Sequence, residues 1–130
     1  MKIVVDSMGG DNAPQEIVKG SVEAAALTEH TIILVGDESK IKNELKKHKY
    51  KEEQIVIVHA SEVISNDDAP VKAVRTKQDS SMVKGINMLK RGEADLFISA
   101  GNTGAIMAAG LFILGRIQGI DRPAIASTYP

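Results

Sequence analysis

The sequence has no cysteine and no tryptophan, and among its 130 residues it has only two phenylalanines and two tyrosines. Without cysteine, a disulfide framework, a thiolate zinc site and a cysteine nucleophile are all excluded. The scarcity of aromatic side chains argues against base stacking and against an aromatic ligand box. Long hydrophobic runs are missing as well, because the longest, from Ala105 to Leu114, is well short of the roughly 20 residues that span a bilayer.

An excess of either charge is absent too. Lysine and arginine total 16, aspartate and glutamate total 17, and the formal net charge of −1 does not point to a nucleic-acid partner. Hydrophobic residues make up 43% of the chain and charged residues 25%, which is typical of a globular domain rather than of a disordered one. Met1 leads directly into a strand-like run without a secretory signal pattern, which predicts a cytoplasmic protein.

Lysine and histidine are placed in ways that suggest surface roles. The lysine-rich stretch at 40–51 is interleaved with glutamates, and its simplest interpretation is a solvated helix face. The alternative is a docking patch for an acidic partner. His30, His48 and His59 lack the spacing of metal ligands, so we predict no metal site, and no dinucleotide-binding fingerprint or other cofactor motif is present.

Short apolar runs alternate with helical stretches along the chain. Strands are predicted at 3–5, 31–35, 55–58 and 96–98, with a fifth candidate at 123–127. Helices are predicted at 14–27, 39–48, 81–91 and 104–117, the last being apolar nearly all round and therefore buried. Residues 60–77, with Pro70 inside them, are the longest stretch predicted to be irregular.

The strand runs are continuously apolar rather than alternating, which is typical of strands covered on both faces. The alternation of strands and helices therefore predicts an α/β fold with a mostly parallel sheet and helices on both faces. A chain that stopped after a buried helix and a new strand would leave an open sheet edge. We therefore expect residues 1–130 to be the N-terminal portion of a single longer α/β domain, inactive by itself. The alternative is a complete small domain with a polar tail.

In open α/β sheets, ligands bind outside the carboxyl ends of the strands, so the loops that follow the strands are the candidate sites. The first strand is followed by Asp6, the adjacent glycines Gly9 and Gly10, and Asn12. The glycines let the backbone approach a ligand closely, and the helix that follows offers free N–H groups to an anion. The alternative is a tight turn in which Asn12 caps the helix.

The fourth strand is followed by Gly101, Asn102, Thr103 and Gly104. Two glycines and two hydrogen-bonding side chains directly before a helix can wrap a phosphate or an oxyanion. The alternative is a plain helix cap by Asn102 or Thr103. No Walker A lysine follows these glycines.

A third group lies before the helix at 81–91. Arg75 and Lys77 can pair with phosphate, and Ser81 adds a hydroxyl donor. The alternative is a solvated basic loop followed by a serine cap.

Taken in order, these motifs resemble the PlsX family of bacterial phosphate acyltransferases, and the resemblance covers all 130 residues. The motifs that carry it lie at Asp6 to Pro14, Val35 to Asp37, Arg75 to Met82, Ser99 to Ala105 and Gly119 to Pro123.

The resemblance implies transfer of a fatty acyl group from acyl carrier protein to inorganic phosphate. The acyl phosphate product would feed a membrane glycerol-3-phosphate acyltransferase in phospholipid synthesis. The resemblance further implies a fold similar to that of phosphotransacetylases and isocitrate/isopropylmalate dehydrogenases, a site in a cleft, a homodimer and peripheral membrane association.

For the site, we predict that the catalytic residues are Asp6, Asn12 and Asn102. The predicted substrate-binding residues are Gly9, Gly10, Arg75, Lys77, Ser81, Gly101, Thr103 and Gly104. The acidic carrier protein would dock on Arg75, on Lys77 or on the lysine-rich stretch. Two alternatives stay open at this point: an oxidoreductase on the related dehydrogenase fold, and a non-catalytic domain that binds phosphate or carrier protein.

Overall fold

The computed structural model describes residues 1–129, which form a four-stranded sheet flanked by helices. The strands are β1 (Lys2–Asp6), β2 (Thr31–Gly36), β3 (Ile55–His59) and β4 (Leu96–Ile98). The α-helices are α1 (Gln15–Ala26), α2 (Glu38–Leu45), α3 (Pro70–Thr76), α4 (Ser81–Lys90) and α5 (Thr103–Ala109). A 3₁₀ turn at Glu52–Gln54 precedes β3, and a π-helical turn at Gly110–Leu114 follows α5.

All strand pairs are parallel, and the strand order is β3-β2-β1-β4. The chain therefore moves outward from β1 to β3 on one side and then crosses to place β4 on the other side of β1. This arrangement confirms the predicted α/β fold with a parallel sheet. It also sets a topological switch point between β1 and β4.

Helices cover both faces of the sheet, as the continuous apolar strands predict. On one face, Val18 of α1 and Ile41 of α2 pack with Val5 and Leu34 in one core cluster. On the other face, the α4 residue Met88 joins a cluster beneath Val4, Ile33 and Val35. A further cluster joins α3, α4 and α5, with Val74, Val83 and Ala105 at its centre.

Side-chain caps mark the starts of α2, α4 and α5. The Ser80 side chain accepts a hydrogen bond from Val83 N at 3.2 Å and so caps α4, while Gly92 just past its end has φ +73°. Asp37 caps α2 by accepting from Lys40 N at 3.0 Å. These local signals fix where the helices begin relative to the strand ends.

Helix α3 lies inside the segment predicted to be irregular. Pro70 stands at its first position, where the missing N–H costs nothing, so the proline that looked like a break is a helix start. With only seven residues, α3 is too short to give a clear helical period in the sequence.

The predicted helix at 104–117 is only partly correct. Its α-helical part ends at Ala109, and the π-helical turn that follows has no buried residue. Phe112 is 49% exposed and Leu114 is 41% exposed, so the expectation of burial holds for Ala105 but fails for them. The fifth strand predicted at 123–127 is not formed in the described structure. No helix within residues 1–129 combines the length and apolarity needed to cross a bilayer.

Candidate functional site

The switch point places two loops side by side at the carboxyl edge of the sheet. The β1 loop (residues 7–14) leads toward α1, and the β4 loop (residues 99–102) leads toward α5. Because β1 and β4 are neighbours whose connections run to opposite sides, their loops open a crevice of the kind in which α/β proteins bind ligands. The sequence predicts both loops as candidate sites, and the structure brings them together.

Asp6, the last residue of β1, lies beneath these loops and is only 2% exposed. Its Oδ1 accepts hydrogen bonds from the Ser81 hydroxyl at 2.6 Å and from Met8 N at 3.1 Å. Its Oδ2 accepts from the Ser99 hydroxyl at 2.8 Å. Asp6 therefore joins the end of β1 to the start of α4 and to the end of β4.

Ser99 extends this network into the β4 loop. While its hydroxyl donates to Asp6, its oxygen accepts from Gly101 N at 3.0 Å. Ser99 was not among the predicted site residues. The available signal was its position, a hydroxyl directly after a strand and two residues before a glycine.

The glycines of the two loops are required by close packing. A Cβ on Gly9 would lie 2.5 Å from Asp6 Oδ2 and 3.0 Å from Gly101 N, so no larger residue fits without displacement. A Cβ on Gly101 would lie 3.3 Å from Gly9 Cα. Gly10 has φ +104°, a conformation that L side chains rarely adopt.

Asn102 is buried, at 8% exposure, and both the oxygen and the nitrogen of its side-chain amide form hydrogen bonds. The oxygen accepts from Ala105 N at 3.0 Å and caps α5, as the helix-cap alternative proposed. The nitrogen donates to Ser65 O at 3.1 Å and to Asp68 O at 3.2 Å. Asn102 thus ties the segment that follows β3 to the β4 loop, a role that the sequence did not indicate.

Thr103 and Gly104 follow at the start of α5. Thr103 is exposed, and within residues 1–129 its hydroxyl has no hydrogen-bond partner, so it is available to a ligand. Gly104 is fixed by packing, because a Cβ there would lie 2.8 Å from Pro70 Cγ.

Asn12 lies exposed in the β1 loop. Its backbone carbonyl accepts from Glu16 N at 3.0 Å, but Pro14 precedes α1 without any side-chain cap. The alternative in which the Asn12 side chain caps α1 is therefore wrong. Within residues 1–129 its amide forms no hydrogen bond, and the residue belongs to one of the two loops that form the crevice.

Arg75 lies in the last turn of α3, and Lys77 follows directly after that helix. Lys77 Nζ is 2.7 Å from Asp68 Oδ2 and donates to Val63 O at 2.8 Å, so it holds the same segment that Asn102 binds. The hydrogen bond from Lys77, together with that from Ser65 N, holds the pKa of Asp68 below its ordinary value. Arg75 is exposed, with its guanidinium 5.3 Å from the Phe112 ring centre. Within residues 1–129, neither side chain forms a hydrogen bond to the β1 loop.

An apolar groove of about 320 Å³ runs between α1 and β4 and ends at the switch point. Ile3, Val5, Ile17 and Ile98 line its length, and Gly20 leaves its α1 wall open. Its polar end is formed by Asp6, Ser99 and Glu16. The crevice therefore combines a hydrogen-bonding centre with an adjacent apolar surface.

Comparison with known proteins places this arrangement in a family. A family model described as "Fatty acid synthesis protein" matches residues 1–130. The chain is 54% identical over 130 residues to a protein named phosphate acyltransferase from Alkaliphilus oremlandii, and 56% identical over 131 residues to one of that name from Geobacillus thermodenitrificans. It is 50% identical over 130 residues to a phosphate acyltransferase from Clostridioides difficile.

Each of these alignments covers 100% of the present chain but only 38% or 39% of the relative. The chain thus spans well under half the length of the curated relatives that it matches.

Proposed function

Because this chain belongs to the fatty acid synthesis protein family, we propose that it forms the phosphate-binding part of an acyltransferase. The proposed reaction moves a fatty acyl group from acyl carrier protein to inorganic phosphate and supplies acyl phosphate to phospholipid synthesis. The observation that carries the proposal is the meeting of two glycine loops, at Gly9 and Gly101, over the switch point of a parallel sheet.

The main task of the protein in this reaction is to position phosphate and the thioester relative to each other. A phosphate oxygen attacks the thioester carbonyl carbon, the carbon–sulfur bond breaks, and the thiol leaves with a proton. Phosphate is already an anionic nucleophile at neutral pH, so no activated serine or cysteine is needed. The protein must hold phosphate against the carbonyl and donate hydrogen bonds to the oxygen that gains charge.

The residues of the crevice suit these tasks to different degrees. The Asn12 amide and the Thr103 hydroxyl are exposed and unpaired within residues 1–129, so they are the candidates for direct contact with phosphate or with the carbonyl oxygen. Asn102 has both amide N–H groups and its oxygen committed, so its contribution is to hold the β4 loop in place. We retain Gly9, Gly10, Gly101 and Gly104 as residues that let the backbone approach the anion.

The acyl group needs an apolar surface next to the reacting carbon. The groove between α1 and β4 supports this part of the proposal, because its polar end coincides with Asp6 and Ser99. Burial of methylene groups along Ile3, Val5 and Ile98 would contribute about 0.8 kcal/mol for each group.

Acyl carrier protein would dock on a basic surface. Lys77 is paired with Asp68, which leaves Arg75 and the lysine-rich stretch as the better candidates. In that stretch, Lys42 and Lys47 pair with Glu38 and Glu44. A homodimer, a cytoplasmic location and peripheral membrane association remain part of the proposal.

The direct test is acyl phosphate formation by the complete gene product from acyl carrier protein loaded with a fatty acid and inorganic phosphate. Product should form only when both substrates are present. Formation of free fatty acid in place of acyl phosphate would show that water, rather than phosphate, is the acceptor and would contradict the proposal.

A further inference from the structure

We propose that Asp6 acts through Ser99 as the positioning residue of the β4 loop. Anion binding at the switch point would then depend on a buried carboxylate that itself touches no substrate. The inference rests on the proposed function in taking phosphate as the anion. It differs from the sequence-based expectation, in which Asp6 takes part in catalysis directly.

The burial and bonding of Asp6 carry the argument. Both oxygens accept hydrogen bonds from the protein itself, from two serine hydroxyls and one backbone N–H. None of the ion pairs within residues 1–129 involves Asp6, so the carboxylate is stabilised by oriented dipoles instead of by a cation. At 2% exposure it has almost no surface left to offer to a ligand.

A carboxylate can only accept hydrogen bonds, and this fixes the direction of its neighbours. The hydroxyl hydrogens of Ser81 and Ser99 must both point at Asp6. The lone pairs of Ser99 Oγ are then free to accept from Gly101 N, which they do at 3.0 Å. A relay runs from Asp6 through Ser99 to the backbone of the β4 loop.

The same carboxylate aligns segments that are remote in sequence. Ser81 is 75 positions away from Asp6, and Ser99 is 93 positions away. Gly9 packs onto Gly101 directly above them, so the shape of both loops depends on the relay. A fully satisfied buried network of this kind specifies one arrangement, and a partly satisfied one loosens it.

Replacing Asp6 by asparagine tests the polarity of the relay at nearly constant shape. In Asp6→Asn, an NH₂ group replaces one of the two carboxylate oxygens. That group is a donor, so the serine that donates to this oxygen in the unsubstituted protein, Ser99 or Ser81, loses its acceptor. That serine must turn its hydrogen elsewhere. If it is Ser99, its oxygen accepts from both the new amide group and Gly101 N, its hydroxyl hydrogen loses the carboxylate acceptor, and the hold on the β4 loop weakens.

The experiment measures the dissociation constant of inorganic phosphate by equilibrium dialysis on the complete gene product, with the melting temperature as a second readout. We expect Asp6→Asn and Ser99→Ala each to weaken phosphate binding at least about tenfold. The matched control is Ser80→Ala, which removes the fully buried hydroxyl one position before Ser81. It should lower the melting temperature through its lost helix cap while phosphate binding stays within about twofold.

The double variant Asp6→Asn/Ser99→Ala separates a relay from two independent effects. If Asp6 works through Ser99, the double variant binds phosphate about as weakly as either single variant. Additive losses, unchanged binding in Ser99→Ala, or an equal loss in Ser80→Ala would each overturn the proposal. So would an unsubstituted protein that binds no phosphate. If Asp6→Asn does not fold, Ser99→Ala and its control carry the test.

Acyl phosphate formation, measured on the same preparations, tells the two claims apart. Phosphate binding that responds as expected without any acyl phosphate formation would refute the acyltransferase but leave the relay intact. Acyl phosphate formation with a phosphate KM that is indifferent to Ser99→Ala would refute the relay alone.

Discussion

Gly9 and Gly101 lie against each other across the switch point, so close that a Cβ on Gly101 would be 3.3 Å from Gly9 Cα. The two residues belong to loops that follow β1 and β4, and a Cβ on either glycine would also crowd the Asp6–Ser99 pair beneath them. Through this contact, the β1 loop and the β4 loop together form one crevice.

The contact predicts a large cost for Gly9→Ala. The added methyl would lie 2.5 Å from Asp6 Oδ2, and relieving that overlap should cost about 1–3 kcal/mol of unfolding free energy. Gly20→Ala is the matched control, because Gly20 lies in α1 with open space around its Cβ position. It should stabilise the protein by about 0.5–1 kcal/mol. Chemical denaturation measures both, and equal behaviour of the two variants would contradict the packing described here.

Asn12→Ala should reduce activity without reducing stability. The Asn12 side chain does not cap α1, so its loss should change the unfolding free energy by no more than about 0.5 kcal/mol. If the amide contacts substrate, kcat/KM should fall at least about tenfold. Asn43→Ala, at an exposed position of α2, is the control. Normal kinetics in Asn12→Ala would remove this residue from the site.

The double variant Asn102→Ala/Thr103→Ala should raise the KM for phosphate at least about tenfold. It removes the Thr103 hydroxyl, whose hydrogen bond to a charged group is worth about 1.5–3 kcal/mol, and it releases the β4 loop that Asn102 holds in place. The KM for acyl carrier protein should change much less, because the carrier would dock on a separate basic surface.

The two single variants separate the contribution of Asn102 from that of Thr103. Asn102→Ala removes a helix cap and two bonds to the segment after β3, so it should lower stability by about 1 kcal/mol or more. Thr103→Ala should leave stability unchanged and weaken phosphate binding. Thr76→Ala, an exposed threonine in the last turn of α3, controls for the loss of a hydroxyl. If the double variant leaves the KM for phosphate unchanged, the β4 loop only caps α5 and does not bind phosphate.

The Lys77–Asp68 pair predicts a specific loss of stability in acid. Lys77 and Ser65 lower the pKa of Asp68 in the folded protein, so its contribution is present above the ordinary value of 3.8 and is lost as the pH falls below it. Lys77→Met should reduce this part of the pH dependence, because only the hydrogen bonds from Ser65 would then hold the pKa of Asp68 down. Comparing denaturation midpoints of the two proteins from pH 6 to pH 2 measures it, and parallel curves would mean that the pair contributes nothing.

The sequence predicts the sheet well because each strand is a short, continuously apolar run, a pattern that parallel strands covered on both faces require. It predicts the crevice loops from their position, because ligands of open α/β sheets bind outside the carboxyl ends of the strands and both loops follow a strand there. Helix α3 was missed because its proline marks a start as readily as a break. Phe112 and Leu114 were expected in the core because composition alone does not reveal which neighbours cover a helix.

The Asp6 relay could not be predicted, because hydrogen bonds across 75 and 93 positions leave no local signature. The same holds for Asn102, whose amide serves a segment more than 30 positions earlier in the chain. Sequence spacing identified both residues as important. Only the folded arrangement separates side chains that hold the site, such as Asn102, from side chains such as Thr103 that are free to meet a ligand.

The most direct measurement of the central claim follows isotopically labelled phosphate in the complete gene product supplied with fatty acyl carrier protein. The account predicts that the label appears in acyl phosphate, and that Thr103→Ala raises the phosphate concentration needed for half-maximal rate while leaving that for the carrier protein nearly unchanged. Label that stays in free phosphate while the carrier protein keeps its acyl group, in a folded protein, would contradict it.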